Sequence, residues 1–98
     1  MGDPDAALTF FSRADELEGR NPRVKAGMAS AMAQLEQGQA ALTLFAEAVQ
    51  LGAPEAEIAG DRGLAYDTIG DTARAQRDYQ LALRQRDDPE VRRRSAPE

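Results

Sequence analysis

Ala75-Gln76-Arg77-Asp78-Tyr79-Gln80-Leu81-Ala82 decides the fold, because two earlier stretches repeat its key in step. Ala41–Ala48 reads ALTLFAEA and Ala7–Ala14 reads ALTFFSRA, each set 34 residues before the next. Alanine, ring, alanine at i, i+4 and i+7 is one stripe of an α-helix. The alanines let a neighbouring helix come close, and the ring fills the hole between them. A stripe kept in register three times at this period indicates stacked helical hairpins, since no single hairpin buries its own apolar face.

Working outward, start and stop signals divide the chain into helices. Asp3-Pro4 gives an N-cap followed by proline at the first helical position, and the helix passes through Leu8, Phe11, Ala14 and Leu17 to Gly19. Asn21-Pro22 repeats that signal ahead of Val24, Met28, Met32 and Leu35. Gly38 is expected as a left-handed stop, with Ala41 to Leu51 as the next helix and Gly52 ending it. Pro54-Glu55 opens a helix through Ile58, Leu64 and Ile69 to Gly70, and Asp71 caps another through Ala75, Tyr79 and Leu83. Asp88-Pro89-Glu90 begins a sixth, which Pro97 ends; Asp87 and Asp88 read as its cap and as a complement to its dipole. No stretch alternates with the period of a strand, so the chain reads as all-α. Its short connections predict antiparallel neighbours.

The spacing resembles the tetratricopeptide repeat, whose unit pairs a helix A with a helix B. Counted from Ala56, the residues Gly63, Ala65, Tyr66, Gly70, Ala75, Tyr79 and Ala82 fill its signature places; counted from Pro22, Ala29, Ala31, Met32, Ala41, Phe45 and Ala48 do. Glu36 stands where glycine is usual, Lys25 and Ala59 where a large ring is usual, and Arg62 where an apolar residue is usual. The resemblance implies a short right-handed solenoid of antiparallel hairpins. Residues 1–21 are then the second helix of an incomplete repeat, 22–55 and 56–89 are full repeats, and 90–98 open a further helix or a disordered end. A first helix without a partner implies either a segment of a longer array or association across the open flank.

Composition narrows the function. A net charge of −5 in 98 residues argues against a general binder of nucleic acid, whose affinity comes from neutralising phosphates. Cysteine and histidine are absent, which removes thiolate metal sites, disulfides and the usual proton shuttle near neutral pH. No apolar run approaches the ~18 residues of a membrane span. Asp61, Asp67 and Asp71 could in principle gather at a metal, but the first two face different sides of one helix and the third is a cap. Arg92-Arg93-Arg94 reads as a solvated end. No enzyme activity and no cofactor are expected, and the compartment is left open.

In the family that the chain resembles, the A helices line a groove holding an extended peptide or a partner helix. Carried over by position, the groove residues are Arg23, Ala26, Ser30, Ala33 and Gln34, then Glu57, Gly60, Leu64, Asp67 and Thr68. Ala26, Ser30, Ala33 and Gly60 would leave room, while Arg23, Gln34, Glu57 and Asp67 would meet a ligand's charges or backbone. Relatives that clamp chaperone tails use lysine and asparagine where this chain has Ala26, Ser30, Gly60 and Leu64, so that ligand class is not implied. The run Gly63-Leu64-Ala65-Tyr66-Asp67, followed by Ala75-Gln76 and Tyr79, also resembles TadD-type proteins of bacterial tight-adherence pilus assembly. The expectation is a non-enzymatic scaffold for a protein or peptide partner. The alternative is self-assembly through Leu8, Phe10 and Phe11 on the uncovered first helix.

Overall fold

The computed structural model describes residues 3–87. They form five helices: α1 (Pro4–Leu17), α2 (Pro22–Gln34), α3 (Gly38–Gln50), α4 (Glu55–Thr68) and α5 (Thr72–Asp87). No strand occurs among the described residues. The expected sixth helix, with Asp88 and Arg92 to Arg94, lies outside them.

Side-chain caps start three of these helices, α1, α2 and α5, as the sequence indicates. Asp3 Oδ1 accepts the N–H of Asp5 and Ala6 at 3.0 and 3.3 Å, and Asn21 Oδ1 accepts those of Arg23 and Val24 at 2.9 and 3.4 Å. Each such cap stabilises by about 1 kcal/mol. Asp71 Oδ1 accepts the N–H of Arg74 and opens α5 in the same way.

Each helix packs on its predecessor, and α2 packs on α4 as well. Four residues link α1 to α2 and α3 to α4; three link α2 to α3 and α4 to α5. Links this short turn the chain back on itself. The contacts agree: Asp15 of α1 meets Lys25 of α2 while Phe11 meets Gly27, so residue numbers rise on one helix as they fall on the other.

Alanine dominates the interior. Ala29, Ala33, Ala41, Phe45, Ile58 and Ala65 form one buried cluster, with Phe45 the largest fully enclosed side chain. Ala48, Ala59 and Ala75 are also buried. Small side chains contribute little transfer free energy each, so this core depends on backbones drawn close together.

One punctuation mark falls elsewhere than expected. Gly38 is not a left-handed stop; it is the first residue of α3 and is buried. A Cβ there would lie 2.7 Å from the carbonyl oxygen of Ala65, so glycine is required for close approach to α4. The left-handed residue is Glu36, at φ 62°, in the place that Gly70 takes one repeat later at φ 84°. Helix α3 therefore starts three residues earlier than Ala41.

Candidate interaction surface

Some of the sequence-derived groove residues line two clefts, and others are taken up by the fold. Arg23 and Ala26 of α2 share a cleft of about 260 Å³ with Glu57 of α4, walled by Gly52, Ala53 and Pro54 of the α3–α4 link. Ser30 and Gln34 line a second cleft of about 260 Å³, between α1 and α2. Ala33 is a correction: it lies in the core cluster and leaves no space in any trough. Helical periodicity explains it, since Ala33 is one turn beyond Ala29 and shares its inward face.

The residues expected on α4 are partly occupied by the fold itself. Asp67 Oδ2 accepts the Tyr79 hydroxyl of α5 at 2.8 Å, and the Thr68 hydroxyl donates to the Leu64 carbonyl at 2.9 Å. Thr68 also lies against Gly38 of α3, Gly60 faces Ala82 of α5, and Leu64 packs on the core cluster. Ser30 Oγ donates to Asp61 at 2.8 Å and ties α2 to α4. Asp61 and Asp67 thus serve different neighbours.

Among the described residues two basic side chains, Arg62 and Lys25, tie helices together through ion pairs, and both stand where the chain departs from the repeat pattern. Arg62 Nε and Nη2 donate to the two oxygens of Asp78 at 2.8 and 2.9 Å, and Nη1 donates to Glu55 at 2.9 Å. Asp78 is only 5% exposed. The Asp78 hydrogen bonds hold the Arg62 guanidinium well above its ordinary pKa despite burial. Lys25 Nζ sits 3.1 Å from Asp15 of α1 and 3.4 Å from Glu47 of α3, fastening three helices at one point. Its hydrogen bond to Asp15 raises the ammonium's pKa.

Sequence reasoning noted Lys25 and Arg62 as departures and missed their partners. The signal was present: one repeat before Arg62 and Asp78 stand Met28 and Leu44, both apolar. Paired substitution of charge at two equivalent places marks an ion pair.

The proposed self-association residues are unequal. Phe10 is 67% exposed, whereas Leu8 and Phe11 are half-buried. Phe11 lies over Gly27, where a Cβ would come 2.5 Å from the ring, and meets Phe10 edge to face at 5.3 Å. Helix α1 contributes no fully buried side chain.

Comparison with protein-family models, with curated proteins and with solved structures finds no match to this chain.

Proposed function

We propose that the chain is a short, right-handed array of tetratricopeptide-like hairpins that acts without catalysis, as a scaffold for a protein or peptide partner. The observation that carries this reading is the α2–α4 cleft. It has Ala26, Ala53 and Ile58 beneath and two exposed charges of opposite sign, Arg23 and Glu57, at its sides. Small apolar residues receive an extended segment, and flanking charges of both signs set its direction through its own charges. The non-enzymatic reading is supported by where the polar groups are engaged: Asp61 on Ser30, Asp67 on Tyr79, Asp78 on Arg62 and Asp71 on Arg74. The likeness to TadD-type proteins extends the proposal to an assembly role in bacterial pilus biogenesis.

The test is a peptide array probed with wild type and with the Arg23→Glu, Glu57→Arg double variant. Peptides that bind the first and lose at least about tenfold on the second support the cleft. Binding that survives the reversal would overturn it. Self-assembly remains as the second reading because Phe10 is exposed; sedimentation of wild type and Phe10→Asp tests it, and a monomer in both cases removes it.

A further inference from the structure

The α1–α2 cleft is bounded by Pro4, Ala7 and Phe11 on one side and Gly27, Ala31 and Gln34 on the other. Moving each forward by the 34-residue period gives Gly38, Ala41, Phe45, Asp61, Ala65 and Thr68. There the surface is closed: Gly38, Ala41, Phe45 and Ala65 are all buried. Its cover is α2, whose Ala29 and Ala33 share the core cluster with Ala41, Phe45 and Ala65. The docking beneath is the same in both places, since Gly38 lies against Ala65 and Thr68 as Pro4 shares a cleft with Ala31 and Gln34. Among the described residues no helix covers this face of α1 and α2, which is therefore a helix-binding surface whose occupant the molecule itself displays one repeat later.

That internal copy specifies the occupant's chemistry. Arg62 meets Asp78, so the equivalent Met28 and Leu44 occupy facing places, and the place before Leu44 in the series is Phe10. Ala29 belongs with Phe45, whose earlier equivalent is Phe11. Lys25 pairs with Glu47, whose earlier equivalent is Arg13, reversing the charge required. We infer that this face binds an amphipathic helix from a partner protein. That helix carries an apolar residue for Phe10, a small residue directly after it for Phe11, a second small residue four places on, and an acid three places before the apolar one for Arg13. A second folded copy of this chain does not supply it. In α2 the two small residues of the pattern, Ala29 and Ala33, are already buried in the core, and α4 has Arg62, Gly63 and Asp67 at the places of Met28, Ala29 and Ala33.

The inference is independent of the α2–α4 cleft, and its test separates the two. A fluorescein-labelled peptide copying residues 21–35, with Lys25→Glu in the peptide, is titrated into the full chain. The expected result is saturable binding, with amide shifts at Ala7, Phe10, Phe11 and Gly27. Phe10→Asp in the chain weakens it at least about tenfold, and Arg23→Glu leaves it unchanged. Arg13→Glu in the chain reverses the preference, so that the peptide retaining Lys25 binds better. Phe10 and Arg13 are exposed, so both variants should keep their helices, and circular dichroism checks this. Absence of saturable binding at millimolar peptide overturns the proposal, as do shifts confined to other surfaces. A concentration-dependent dimer that the peptide cannot dissociate overturns it in favour of a second copy.

Discussion

Glu36 and Gly70 hold equivalent places after α2 and α4, and both adopt positive φ, 62° and 84°. For glutamate that conformation brings Cβ against the backbone and costs roughly 1–2 kcal/mol; glycine avoids this but loses more chain entropy on folding. The balance favours glycine, so Glu36→Gly should stabilise the protein by about 0.5–1 kcal/mol. Urea unfolding would measure it, and an unchanged or lower midpoint would contradict the assigned backbone. The residue's identity was visible in the sequence as a departure from the repeat, but its conformation was not. Gly38, two residues away, offered itself as the obvious left-handed stop. What hid its real role is that close approach depends on α4, which sequence-local reasoning does not see.

Helix by helix, the pairing of α4 with α5 differs from that of α2 with α3 in one respect that energetics can probe. Arg62 and Asp78 stand where Met28 and Leu44 stand in the preceding repeat. Installing that apolar pair, Arg62→Met with Asp78→Leu, should be neutral or stabilising, because a hydrophobic pair of similar volume offsets a desolvated ion pair. Arg62→Met alone leaves the 5%-exposed Asp78 without its bidentate donor and should cost about 3 kcal/mol. Asp78→Leu alone should cost less, roughly 2 kcal/mol, since Glu55 still faces the guanidinium. A double-mutant cycle in urea gives all three values; near-additive single costs would show that the two residues do not act as a pair. Helix existence, order and caps were legible from Asp3-Pro4, Asn21-Pro22, the alanine stripes and Asp71. The candidate surface was legible only in part. Position counting named Arg23, Ala26 and Glu57, which line one cleft, but it could not tell that Ala33 turns inward or that Asp67 is held by Tyr79.

Across the whole molecule, the three rings of the repeat show how its two ends differ. Phe11 is half-covered on Gly27, Phe45 is fully enclosed, and Tyr79 is partly buried with its hydroxyl on Asp67. Burial, and then the bond to Asp67, pushes the Tyr79 pKa up to about 12. A tyrosine freed by unfolding ionises near pH 10, so the unfolded chain releases its proton first as pH rises. Stability contributed by Tyr79 is thus complete below about pH 10 and lost progressively towards pH 12. Lys25, its pKa also raised, adds a loss of the same sign above the ordinary lysine range. Thermal melts across that interval should show a falling midpoint, and Tyr79→Phe should fall less steeply; parallel curves for the two proteins would rule out this role for Tyr79.

The Arg62–Asp78 clasp bears on how such a chain avoids errors of assembly. Hairpins built on one spacing and one alanine stripe invite α2 to close on α5 instead of α3, skipping a unit or trading it with a neighbouring molecule. Such a mispaired product would set Met28 against Asp78 and strand a carboxylate among methyl groups, while Arg62 went without its fork. Each hairpin thereby carries a lock that only its own key fits.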